Sequence, residues 1–252
     1  MRLTNSGNVG IGTTAPTHLL DVRGQTRMTT GGNYDVWIQG GAATSGDTRH
    51  LAILGQVAQD KLYINYSSEY TNGTVIGGDT VMQGSVGIGM TPSRTLDVNG
   101  TTRTQVLEIV GGSDLSEKFD ITTVGTEPQP GHVVCIDPEN PGKLIVSTKA
   151  YDRTVAGIIS GAGGVTTGMT MGQQGSVANG SQPVALTGRV YAWADASNGA
   201  IEPGDLLTTS DIAGHLMKVT DFERSHGAVL GKAMTRLAAG QRGLVLVLVG
   251  LQ

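Results

Sequence analysis

Gly7-Asn8-Val9-Gly10-Ile11-Gly12, then Pro16, then Leu20-Asp21-Val22-Arg23-Gly24, is the stretch on which the fold reading turns, because the chain contains it twice. The second copy is Gly84-Ser85-Val86-Gly87-Ile88-Gly89, Pro92 and Leu96-Asp97-Val98-Asn99-Gly100. The copies are offset by 77 residues before the loop and by 76 from the proline onward, so one residue has been lost between Ile and Pro. A loss in a loop spares the strand register, and self-similarity of this kind points to a repeat architecture. Each copy reads as a short strand in which Gly alternates with Val and Ile, a proline turn, and a second short strand closed by a glycine. Alternate glycines leave one side of such a strand almost bare, so another backbone can approach it closely. A lone chain gains little burial from this. Three chains wrapped around one axis would gather Val9, Ile11, Val86 and Ile88 into a narrow apolar trimer core. The expected fold is therefore all-β: an elongated, intertwined homotrimeric fibre with a C-terminal β-rich domain.

Working outward, the repeats span about 7–27 and 84–103, and a β insert of about 30–82 separates them. Strand candidates in the insert are Asp35 to Gln39, Leu51 to Gly55, Lys61 to Tyr66 and Thr74 to Ile76, divided by Gly, Asn and Ser clusters and by the Asn72-Gly73 turn. No segment of the first 112 residues carries a useful 3.6-residue apolar period.

After Gly111-Gly112 the style changes, which places a fibre-repeat region at 1–112 and a distal β domain at 113–252. Asp114-Leu115-Ser116-Glu117 has the spacing of a one-turn helix cap but is too short to decide. A second, weaker duplication follows. Pro130-Gly131-His132-Val133-Val134, Gly142-Lys143-Leu144-Ile145-Val146 and the run from Tyr151 to Ile159 match Pro203-Gly204-Asp205-Leu206-Leu207, Gly214-His215-Leu216-Met217-Lys218 and the run from Phe222 to Leu230. The offsets of 73, 72 and 71 imply two single-residue losses at turns. The terminal run Leu244-Val245-Leu246-Val247-Leu248-Val249 is expected to be a strand buried on both faces.

Composition excludes several classes. Gly at 39 of 252 residues, about twice the usual ~7%, with aromatics at 4%, describes a turn-rich and thin-cored chain. The net charge of −4 is evenly spread and no Lys/Arg cluster exists, so no nucleic-acid partner is expected. Cys135 is the only cysteine; it rules out an intrachain disulfide, and its apolar neighbours predict a packed, inert thiol. No window approaches 18 apolar residues and the N-terminus lacks an apolar signal region, so neither membrane insertion nor a signal peptide is expected.

The motif from Gly7 to Gly24, repeated from Gly84 to Gly100, resembles the repeats of bacteriophage tail-fibre and bacterial surface-fibre proteins. Pro183-Val184-Ala185-Leu186-Thr187-Gly188-Arg189-Val190 leading to Gly204-Asp205-Leu206-Leu207-Thr208-Thr209-Ser210 is similar to a β-rich domain found near the autoproteolytic chaperone regions of such fibres. Together the two resemblances cover most of the chain outside roughly 30–80. They imply a structural fibre protein of a phage tail or tail-like particle, located on the virion tail or an extracellular particle. Its partners would be copies of itself, other tail or fibre components, and a cell-surface glycan or receptor. A bacterial surface adhesin is the alternative. A depolymerase or autoprotease fragment is less favoured; fibres with a self-cleaving chaperone continue into a further domain, whereas this sequence stops at Leu251-Gln252. No autoproteolytic residue is carried over.

Chemistry is sparse. Gly161-Ala162-Gly163-Gly164 lacks the Lys-Ser/Thr ending of a phosphate loop, and no Gly-x-Ser-x-Gly elbow or His-Glu-x-x-His helix occurs. The five histidines are scattered, so no catalytic, cofactor or metal residues are assigned. Asp21 and Asp97 occupy equivalent repeat positions, which favours a shared turn hydrogen bond over acid catalysis. Asp152-Arg153 and Glu223-Arg224 read as a corner ion pair or backbone clamp. Aromatics remain: strand alternation puts Trp37 and Tyr63 among polar neighbours, and Tyr191 and Trp193 on one strand face. These four are the candidate glycan contacts, since a ring flanked by hydrogen-bonding groups suits a sugar.

Overall fold

The structure is a computed structural model that describes residues 1–24, 79–172 and 174–250. The expected insert strands, with Trp37 and Tyr63, lie outside the described residues. The described residues are all-β apart from a 3-10 turn at Ala162–Gly164 and one helical turn, and the chain divides into two compact units, Met1–Asn99 and Gly100–Gln252. The division falls before Gly112, and no residue from Gly100 to Gly111 belongs to a strand.

In the first unit, β1 (Arg2–Leu3), β2 (Val9–Ile11) and β3 (Leu20–Val22) form one small sheet, and β4 (Val86–Ile88) with β5 (Leu96–Val98) form another. β2 and β3 run parallel with Val9 opposite Leu20 and Ile11 opposite Val22; β4 and β5 repeat this with Val86 opposite Leu96 and Ile88 opposite Val98. Parallel strands normally need a long crossover, whereas here a short proline loop makes the return. The intervening glycine allows it. A Cβ on Gly10 would meet the Thr13 carbonyl at 2.8 Å, and one on Gly87 would meet the Pro92 ring at 2.8 Å. The backbone that comes close to the bare side of the strand is thus that of its own proline loop.

The second unit starts with β6 (Asp114–Phe119) and β7 (Ile121–Thr122), so Asp114 to Glu117 is extended and caps no helix. Asp114 instead accepts hydrogen bonds from the Gly168 amide at 2.8 Å and from the Ser116 hydroxyl. There follow β8 (Val133–Ile136), β9 (Leu144–Val146), β10 (Val155–Ile159), β11 (Met169–Met171), β12 (Gln182–Asp195), β13 (Leu206–Thr209), β14 (Leu216–Lys218), α1 (Phe222–Ser225), β15 (Val229–Ala233) and β16 (Arg242–Gly250).

β12 organises this unit. Its first half pairs with β10 on one edge and β6 on the other, and β10, β8, β9 and β7 complete a ring, since β7 follows β6 after a single residue. Its second half pairs with β16 on one edge and β14 on the other, and β16, β15, β13 and β14 close a second ring. Two small barrels therefore share one 14-residue strand. Closure leaves few open edges.

The rings repeat each other in detail. A parallel pair, β7 with β9, corresponds to β12 with β14, and both β10 and β15 carry a bulge before a glycine, Gly157 and Gly231. This bulge equates Val155 with Val229, an offset of 74 where the sequence reading has 71. The reason is α1, capped by the Asp221 carboxylate on the Arg224 amide at 3.1 Å, which makes the β14–β15 connection two residues longer than the β9–β10 connection.

The shared interior is filled by Val133, Ile158, Ala185, Val190, Ala192, Ala194, Leu207, Leu216, Leu230, Val245 and Val247. Only alternate residues of the terminal run face inward. Val245, Val247 and Val249 are buried, while Leu244 and Leu246 are half-buried and Leu248 is exposed, so β16 is not covered on both faces. Cys135 is buried, and burial, aided by the Asp152 charge, pushes its thiol up to about 12, as an inert packed thiol requires.

Candidate functional site

Two surfaces stand out, one on each unit. On the repeats, strand alternation puts Val9, Ile11, Leu20 and Val22 on one face and Gly10 with Asp21 on the other. Leu3, paired with Val9, joins the apolar face. The second copy presents Val86, Ile88, Leu96 and Val98 in the same arrangement. Ile11 is 45% exposed, Ile88 55%, Leu20 61% and Leu96 63%, with Val9 and Val86 half-buried. The four residues expected in an assembly core thus lie on two matching faces, joined there by Leu20, Val22, Leu96 and Val98, whose place only the parallel pairing makes visible.

The opposite face is closed by the aspartates. Asp21 accepts from the Thr17 amide and hydroxyl at 3.1 and 3.3 Å, and Asp97 from the Ser93 amide and hydroxyl at 3.0 and 2.8 Å. The backbone amide in each turn holds the carboxyl below its ordinary range. The motif is therefore Pro-Thr/Ser with Asp four residues after the hydroxyl, a turn clamp that fixes the loop beneath the strand. An acid–base pair has no place in it.

On the second unit, Tyr191 and Trp193 lie on the outer face of β12, both half-buried. Trp193 rests on Gly131, whose backbone carbonyl accepts the Trp193 amide at 2.9 Å, and its ring centroid is 6.2 Å from that of His215. Tyr191 packs on Gly163 of the 3-10 turn. Across the ladder, Leu244 faces Trp193, Leu246 faces Tyr191 and Leu248 faces Arg189. The result is an aromatic and leucine strip with an exposed arginine at one end. The three leucines were missed by reading the run as doubly buried. Its strict Leu/Val alternation was the available signal, with the β-branched residues inside.

Beside Trp193 and His215 lies His132, buried with its Nδ1 unpartnered among the described residues. Burial, with His215 nearby, pushes its pKa down. The turn at Gly214 fastens this corner: the Val133 amide donates to the Gly214 carbonyl at 2.9 Å and the Gly214 amide to the Ser147 carbonyl at 2.8 Å. The duplicated corners also meet. The Tyr151 hydroxyl accepts from the Thr220 and Asp221 amides at 2.9 Å each, and Arg224 lies 4.5 Å from the Tyr151 ring centroid with its guanidinium on the Ala150 carbonyl at 3.3 Å. Arg224 is thus the backbone clamp, while Asp152 accepts from the Thr154 amide and hydroxyl instead of an arginine.

A cleft of about 470 Å³ opens beside β6 and β11, lined by Glu117, Lys118, Phe119, Met171 and Asn179 among others. Among the described residues that line it, Glu117 carries the carboxylate. Among the described residues no three His, Cys, Asp or Glu side chains gather as a metal site, and no helix is long and apolar enough to cross a membrane. Comparison with protein-family models and with curated proteins finds no match to this chain.

Proposed function

We propose that the chain is the structural subunit of a homotrimeric fibre of a phage tail or tail-like particle, whose distal domain contributes to contact with a cell-surface glycan. The observation that carries the assembly reading is the matched apolar face of the two repeats. In each copy one face is sealed by the chain's own loop and clamped by an aspartate, while Val, Ile, Leu and Val on the other stay open. Sheets of two or three strands, each at most three residues long, are marginal alone and become stable when such a face is covered. Copies of the same face supply a cover of matching chemistry, and the resemblance of the repeats to tail fibres favours a three-fold arrangement. The recognition reading rests on the strip around Tyr191 and Trp193, which combines ring edges with Arg189; Trp37 and Tyr63 are its competitors.

Sedimentation equilibrium of the purified protein tests the assembly: a mass of three chains is expected, and a monomer overturns the proposal. For recognition, Tyr191→Ala and Trp193→Ala should weaken binding to host-cell glycans while the trimer mass is kept. Unchanged binding in both variants moves the role to Trp37 and Tyr63.

A further inference from the structure

The stretch Arg103-Thr104-Gln105-Val106-Leu107-Glu108-Ile109-Val110 differs from every other apolar run among the described residues. Every residue from Thr101 to Val110 is exposed, with Val106 at 80% and Val110 at 88%. None of them belongs to a strand or bridge, and among the described residues no backbone amide or carbonyl from Gly100 to Gly111 bonds to another backbone group. A β-branched and leucine-rich run whose backbone groups, apart from the Val106 carbonyl that accepts the Thr104 hydroxyl at 2.8 Å, have no partner among the described residues is a template for strand addition. Water satisfies the backbone of such a run, yet leaves Val106, Leu107, Ile109 and Val110 uncovered.

We infer that residues 104–110 form an interchain β-element, pairing with the same residues of neighbouring copies. This rests on the trimer reading above. Two arguments choose a second copy as the occupant. Identical extended segments laid side by side in register match Val106 with Val106 and Ile109 with Ile109, so apolar and polar positions coincide without further design. The segment also continues directly from the β5 face: Val98 and Val106 are eight residues apart, a reach of at most about 27 Å. Copies joined through the Val86, Ile88, Leu96 and Val98 faces therefore hold these segments within reach of one another. The element supplies main-chain bonds between chains to backbone groups that, among the described residues, bond to no other backbone group.

The test is hydrogen–deuterium exchange on the full-length protein, read together with its mass in solution. In a trimer, the amides of 104–110 should exchange roughly 100-fold or more slowly than an unstructured peptide. A trimer in which these amides exchange at the free-peptide rate overturns the element and leaves the assembly standing; a monomer overturns both. Oxidation of Val106→Cys identifies the occupant, because the native Cys135 thiol is buried and inert. A covalent dimer band on a non-reducing denaturing gel is expected. Protected amides without that band mean the segment pairs with a different region, which also overturns the proposal.

Discussion

The repeats and the twin barrels are built from the same materials, short strands of Val, Ile, Leu and Gly, and dispose of their apolar faces in opposite ways. In the barrels the β-branched residues point inward and Val245 and Val247 are fully buried; in the repeats Ile11 and Ile88, in the same strand context, stand about half exposed. The difference is closure. A sheet that curls until its first and last strands pair through β12 encloses its own core, whereas a parallel pair of three-residue strands has only one loop to cover one face. A self-closed unit is stable as a single chain. An open one leaves its second face uncovered.

The comparison breaks most visibly at the open face. Ile88→Asp, carrying one carboxylate per chain onto an assembled apolar face, should abolish the trimer while the barrel's cooperative thermal transition is kept; sedimentation with near-ultraviolet circular dichroism reads both. A trimer that survives Ile88→Asp shows that this face is not the interface. The reverse experiment is Leu207→Ala inside the second ring, where the side chain is fully buried. It should cost about 2–5 kcal/mol by denaturant unfolding of the barrel, with the repeat assembly unaffected. Gly10→Ala probes the sealed side of the repeat. Its new methyl would meet the Thr13 carbonyl at 2.8 Å and the Pro16 ring at 3.4 Å, so a cost of about 1–3 kcal/mol is expected in the dissociation equilibrium.

The smallest effect is a pH dependence carried by His132 in the second unit. Burial depresses the His132 pKa below the ordinary histidine value of 6.5, so the unfolded chain binds the proton more readily than the folded one. The stabilisation is fully present above 6.5, and it is lost as pH falls from there through the lower folded value. Denaturant midpoints measured across that range should decline, and His132→Gln should flatten the decline. The same slope in His132→Gln as in the parent chain would move the effect to another group.

Much of this was legible in the residues. The echo of Val-Gly-Ile at 77 residues and of Leu-Asp-Val at 76 located β2, β3, β4 and β5, and the equivalence of Asp21 and Asp97 pointed to a turn hydrogen bond. The Pro-Gly turns and hairpin returns of the second half revealed a duplication, and the apolar neighbours of Cys135 marked it as core. These are local signals: period, turn chemistry and repetition act within a few residues and survive in the linear chain.

The rest depended on partners far apart in sequence. Nothing in Gln182–Asp195 declares that its first half closes one ring and its second half another, because that follows from which strands reach its two edges. The same holds for β16, where the Leu/Val alternation became one-sided only once β12 and β15 curved it around a core. It holds for Gly10 and Gly87 as well: composition announced that something must come close to them, and only the fold of the proline loop decided that it is the chain itself. Local sequence determines which segments extend and where they turn, since those choices are made against sterics and turn propensity. Which face of each strand is covered is a long-range choice, made by the contacts available once all the strands compete for a single interior.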